Sequence, residues 1–298
     1  MPDIQLRFGR DMLVLSSPVA PILARQGFGE GGDVEYATLM EPEAVRDALR
    51  LSLTAGVQCL VTESAAMTPA RLAHRGMADS LDELVKASIA IANGLSPQHT
   101  LVEVGPCGLP LDASSKASLN ENRDQYARVA RACQDVAIDA FFLNGFTSIA
   151  DLKCALMGVR QVSARPIIAS VDVTAEGVLA SGRGDIDEAL STMVDFEADV
   201  AGFATGAPIE TACQLTRRAA SAGLPVLAQI IVAEHQPRQR HATADNPYYC
   251  PDVAVDAALA LRRAGAQFLR ACGQATPAYA GAMVAAVEGS DVVAAAAE

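Results

Sequence analysis

Eight short apolar runs, each followed by a stretch of helical periodicity, govern what this chain can fold into. The runs are Met12–Leu15, Val57–Thr62, Thr100–Val104, Ile138–Leu143, Pro166–Ser170, Asp199–Phe203, Pro225–Val232 and Gln267–Ala271. The helical stretches are Pro42–Thr54, Asp79–Asn93, Leu119–Val136, Ser148–Val162, Asp185–Phe196, Ile209–Ala222, Pro251–Ala264 and Pro277–Val287. Pro42 between Glu41 and Glu43, and the capping acid Asp185, are helix-start signals. The runs are continuously apolar, as expected of a parallel sheet buried on both faces. Eight β/α units in 298 residues predict the α/β class and a (β/α)8 TIM barrel, read as a single domain over 1–298. A doubly wound open sheet is the competitor, but it would carry a Gly-rich fingerprint after the first strand, and that stretch has none. The Gly-rich region around Gly27–Gly32 reads as a long loop, and Ala294–Glu298 as a fraying tail.

Composition narrows the function classes. The chain is 51% hydrophobic with 4% aromatics and no Trp, which suits a helix-covered parallel sheet better than a β-sandwich. A net charge of -12 argues against nucleic acid and against an anionic membrane surface, both of which need clustered Lys and Arg. The N-terminus lacks a basic region leading into an apolar one, and no apolar run reaches membrane-spanning length. The seven cysteines stand singly and are odd in number, so they read as free thiols of a reducing compartment. The expectation is a cytoplasmic protein acting on small molecules, with a homo-oligomer or a partner protein as further expectations.

In a (β/α)8 barrel, chemistry sits at the C-terminal ends of the strands. Those exits offer Ser16 and Ser17, Glu63, the loop Gly105-Pro106-Cys107-Gly108, Asn144, Ser170, Asp172, Thr205, Glu234 with His235, and Cys272. Each has a plain structural reading beside a functional one. Cys272 is either a packed thiol or a metal or catalytic ligand, and Cys107 a loop residue or part of the lining. His235 is a solvated loop residue, or a metal ligand or general base. Glu63, directly after a buried strand, must be hydrated, paired or coordinating, with Arg71 or Arg270 as candidate ion partners. Ser16, Asn144, Ser170 and Thr205 would give a neutral hydrogen-bonding lining for substrate.

Several of these motifs resemble the homocysteine S-methyltransferase family. Gly105-Pro106-Cys107-Gly108 resembles its G-P-T-G loop, and Pro166–Ser170 followed by Gly177 and Gly182 its fifth strand. Gly202–Pro208 resembles G-x-N-C-x-x-P, and Arg270–Pro277 the closing G-G-C-C-G-T-T-P. The resemblance implies a (β/α)8 barrel that moves a methyl group to or from a small thiol, sulfonium or amine compound at its mouth. It also implies zinc held by three cysteines, which would keep the acceptor sulfur as thiolate. Only Cys272 of those three is present, because the other two positions carry Thr205 and Gly273. The family's aspartate after strand one falls on Ser16, and its strand-four glutamate on Asn144. Two expectations follow: a rearranged zinc site in which Cys272 is joined by His235 or Glu63, or a zinc-free barrel. The zinc-free barrel would serve a corrinoid- or folate-linked methyl-transfer system, with a corrinoid protein as partner, or bind a ligand without catalysis.

Overall fold

The fold, taken from a computed structural model describing residues 3–28 and 34–293, is one parallel barrel ringed by helices. In chain order the elements are β1 (Leu13–Val14), α1 (Ala20–Arg25), α2 (Val34–Met40), α3 (Pro42–Thr54), β2 (Cys59–Val61), α4 (Pro69–His74), α5 (Leu81–Asn93) and β3 (His99–Val104). They continue with α6 (Lys116–Ala132), β4 (Ala140–Phe146), α7 (Ile149–Arg160), β5 (Ile167–Asp172), α8 (Ile186–Asp195), β6 (Val200–Thr205), α9 (Ile209–Ala220), β7 (Val226–Val232), α10 (Pro251–Arg263), β8 (Ala266–Gly273) and α11 (Pro277–Val287). All eight expected strands and eight expected helices are present. The stretch read as a long loop after β1 instead contains α1 and α2, and α4 adds a turn of helix before α5. Its glycine run overlaps residues 29–33, which, like the tail 294–298, lie outside the described residues.

Strand order runs β1-β8-β7-β6-β5-β4-β3-β2, all pairs parallel. The β1–β2 seam closes by a single bridge, Leu15 to Cys59, supplemented by side chains. Ser16 N–H donates to Cys59 O at 2.9 Å, and Gln58 N–H to Val14 O at 3.2 Å. Beyond these, Gln58 Oε1 accepts from Val14 N–H at 2.9 Å and Ser16 Oγ from Val61 N–H at 2.9 Å. Two side-chain oxygens thus satisfy buried ladder donors that have no carbonyl opposite.

Alternation along each strand separates two cores. One face packs against the helices through residues such as Val14, Leu60, Val102, Phe141, Ala201 and Leu269. The other fills the barrel with Leu13, Val61, Leu101, Phe142, Ile168, Val200, Leu227 and Phe268, among others. Ile4, from a 3-10 turn over Ile4–Arg7, joins that inner cluster, and Phe8 meets Phe268 edge-on at 5.8 Å. The N-terminal segment therefore stoppers the bottom of the barrel and leaves the C-terminal end for chemistry.

Removing the Ser16 hydroxyl tests the seam. Ser16→Ala leaves the buried Val61 N–H without an acceptor, a loss of about 1–3 kcal/mol. Urea denaturation is expected to show a lower midpoint with an unchanged slope.

Candidate functional site

Two residues beyond the apolar filling, the same inward alternation carries Glu63, Glu103, Asn144, Ser170, Gln229 and Arg270 into the upper barrel. Arg270 is 1% exposed and lies at the centre of this layer. Its Nη1 and Nη2 donate to the two Glu103 oxygens at 3.0 and 3.3 Å, and its Nε donates to Ser16 O at 3.0 Å. The guanidinium carbon lies 5.0 Å from the centroid of the Phe142 ring. Glu103 Oε1 also accepts from Asn144 Nδ2 at 2.6 Å. Gln229 Nε2 donates to Asn144 Oδ1 at 2.9 Å and to Ser170 Oγ at 2.7 Å, closing the network. A bidentate, desolvated pair of this kind is rigid and becomes costly if one partner is removed.

The strands are shaped for this layer. Register shifts in β4 between Leu143 and Phe146, with Gly145 at φ +77°, so a bulge sits beside Asn144. Thr62 Oγ1 accepts from Glu103 N–H at 3.2 Å, and Ser64 Oγ donates to Glu103 O at 2.8 Å, fixing the backbone that carries the carboxylate.

Further out, Glu63 is half-buried beside the pair. Burial, with Glu103 and Glu35 nearby, pushes its carboxyl up to about 8, against the opposing pull of Arg270. Asp172, half-buried at the end of β5, is pushed to about 6 by burial and Glu103, again opposed by Arg270. Three carboxylates thus face one guanidinium. The mouth holds more negative than positive charge once both outer groups ionise, and the two titrate well apart.

Cys272 is 9% exposed, and its thiol donates to Ile230 O at 3.5 Å. Burial pushes this thiol up to about 12, with Arg270 opposing and Asp172 and Glu103 adding to the rise. Asn144 and Ser170 lie in the polar layer itself. The remaining candidates go elsewhere. Ser16 is occupied at the β1–β2 seam, and Thr205 Oγ1 accepts from Ala207 N–H at 3.2 Å. The Cys107 thiol donates to Asn122 Oδ1 at 3.1 Å, behind the β3 loop, where Cys107 N–H also meets Tyr126 OH at 2.9 Å. His235 is exposed past the end of β7, in a cleft of about 600 Å³ shared with Arg25, Tyr249, Gln274 and Tyr279.

This donor set does not fit the zinc site that the resemblance implies. Among the described residues, no three His, Cys, Asp or Glu side chains converge closely enough to share an ion. Cys272 offers a buried thiol, His235 is exposed past the end of β7 and Glu63 is half-buried beside Arg270, and the three form no such group. Gly273 has φ +66°, and a Cβ there would fall 2.6 Å from Val232 O, so the backbone leaves no room for a second thiolate. The strand-eight position that is glycine in the family pattern carries the Arg270 guanidinium instead.

Glu103, Gln229 and Arg270, the centre of the network, are missing from the strand-exit reading of the sequence. Each is a polar residue in a largely apolar strand, in phase with the inward face.

The homocysteine S-methyltransferase family profile matches residues 22–287. The chain belongs to this family of methyltransferases. It is 24% identical over 274 residues to methionine synthase of Mycobacterium tuberculosis, covering 87% of this chain but only 23% of that protein's length. Among solved structures it is similar to the homocysteine methyltransferase MmuM of Escherichia coli in its metallated form. That match has a TM-score of 0.76 and 17% identity, covering 92% of this chain and 96% of that one. The carboxyl transferase domain of Rhizobium etli pyruvate carboxylase is a more distant likeness, with a TM-score of 0.52, 15% identity and coverage of 94% and 44%. At these identities the solved structures speak for the fold. Among the described residues no helix is long and apolar enough to cross a membrane.

Two outcomes follow. Glu103→Gln leaves Arg270 charged and half-satisfied, at a cost of about 3–5 kcal/mol, whereas Arg270→Met with Glu103→Leu recovers most of it; chemical denaturation reads both. Glu63 ionises at a lower pH once unfolded, so the stability it withholds is lost as pH rises from about 4.5 through about 8. Glu63→Gln is therefore expected to raise the thermal midpoint at pH 8 and leave it unchanged at pH 4.

Proposed function

We propose that this chain, acting as one domain over 1–298, transfers a methyl group between small molecules at the barrel mouth without zinc. The methylated partner is a cationic sulfonium or ammonium compound, and the acceptor a thiol or amine. The observation that carries this reading is the clustering at the mouth of three carboxylates, Glu63, Glu103 and Asp172, around Arg270. Such a site favours a cation and disfavours an unaccompanied anion.

The chemistry needs no residue beyond those present. In this reading Asp172, ionised above about pH 6, takes the proton of the acceptor X–H. The acceptor lone pair attacks the methyl carbon, and the bond from that carbon to the donor sulfur or nitrogen breaks, its pair returning to the donor. The donor leaves neutral, and the proton rests on Asp172. Glu63, protonated below about pH 8, donates a hydrogen bond to the ligand, while Arg270, Gln229 and Asn144 hold Glu103 in place. Family membership supports the reaction class, and the misfit of the cysteine positions supports the zinc-free version.

Calorimetric titration of S-methylmethionine and of betaine tests the reading. A carboxylate is neutral below its pKa and negative above, so affinity is expected to rise as pH passes about 6 and again near 8. Asp172→Asn removes the first step and Glu63→Gln the second. Methyl transfer from either donor to homocysteine is expected to survive chelator treatment. PH-independent binding would refute the cation site, and turnover abolished by chelator and restored by zinc would refute the metal-free reaction.

A further inference from the structure

A second cavity, outside the mouth, has a chemistry of its own. Helices α6 and α7 make their close approach at Gly158, where a Cβ would fall 2.4 Å from Arg123 O and 2.9 Å from Tyr126 Cβ. Toward their N-terminal ends the two helices leave between them a cleft of about 480 Å³. That volume lies within the range of small-molecule sites. Its floor is apolar, formed by Leu119, Ile149, Cys154 and Met157, the last 38% exposed. Its rim is basic, formed by Lys116, Arg123 and Lys153, with Glu188 the one carboxylate in the lining.

The placement of the cations is unusual for this chain. It carries 35 acidic residues against 23 basic ones, and only three of the basic residues are lysines: Lys86, Lys116 and Lys153. Two of the three line this cleft. Among the described residues neither forms a salt bridge, and Lys153 Nζ instead lies 4.8 Å from the centroid of the Phe196 ring. Arg123 is shared with its exposed neighbour Asp124, at 3.0 Å. In a protein of net charge -12, ordinary surface lysines have many acidic partners within reach. Among the described residues these two stand beside an apolar floor without a salt-bridge partner.

We propose that the α6–α7 cleft binds a small organic anion. Its aryl or alkyl body lies on Leu119, Ile149 and Met157, and its carboxylate, sulfonate or phosphate is held by Lys116, Lys153 and Arg123. The amphipathic lining selects the class: an inorganic anion would leave the floor uncovered, and a neutral hydrocarbon would leave the cations unpaired. This site is independent of the methyl-transfer reading, because none of its residues belongs to the polar layer of the barrel.

The test uses 8-anilinonaphthalene-1-sulfonate as probe and the full chain. Met157→Trp places the only indole of the protein at the cleft, so energy transfer from it to the bound dye reports location as well as binding. The expected result is saturable binding of one equivalent, with strong quenching of that indole. Lys116→Gln with Lys153→Gln, both exposed positions, is expected to weaken binding at least tenfold while leaving the circular dichroism spectrum unchanged. N-phenyl-1-naphthylamine, the same ring system without the sulfonate, is expected to bind at least tenfold more weakly than the dye. Dye binding without indole quenching, undiminished affinity in the double variant, or equal affinity for the neutral analogue would each overturn the proposal.

Discussion

The upper barrel depends on one ion pair. Arg270 and Glu103 meet across the interior with Nη1 and Nη2 both engaged, Asn144 and Gln229 are hydrogen-bonded to one of them, Ser170 is hydrogen-bonded to Gln229, and Glu63 stands beside the pair. Either charge left alone at that depth would be strongly destabilising. Their presence explains why Glu63 and Asp172 feel both a neighbouring carboxylate and a neighbouring cation. Arg270 is also one of the departures from the pattern the sequence resembles, in which that position is glycine.

The architecture was legible because a parallel barrel writes itself in one dimension. Strands buried on both faces are unbroken apolar runs, and each of the eight could be located within a few residues. Misreadings fell where short local signals compete. Helices α1 and α2 flank a Gly-rich stretch whose glycines dominate the local signal and make the whole segment read as loop. Strand β4 extends beyond its apolar run because a bulge at Asn144 and Gly145 carries the pairing to Phe146.

The site was less legible, and the reason is directional. Residues at strand exits were gathered by position along the chain, but a side chain's destination is set by strand parity and by its hydrogen-bond partners. Ser16, Thr205 and Cys107 sit at the right height and engage backbone or helix partners elsewhere. Glu103, Gln229 and Arg270 lie one step lower, yet point to the axis. Pairing across the barrel joins residues 167 positions apart, and no spacing rule anticipates that.

The left-handed backbone at Gly273 has a consequence for how this barrel relates to metal-binding ones. At that position the ligand is absent and the conformation that could carry it is absent too, since Val232 O occupies the space of a Cβ. Regaining a thiolate there requires the chain path and the residue to change together, and neither change is favourable without the other. The exclusion of a thiolate at this one position is thereby held in the main chain, where a single substitution cannot undo it.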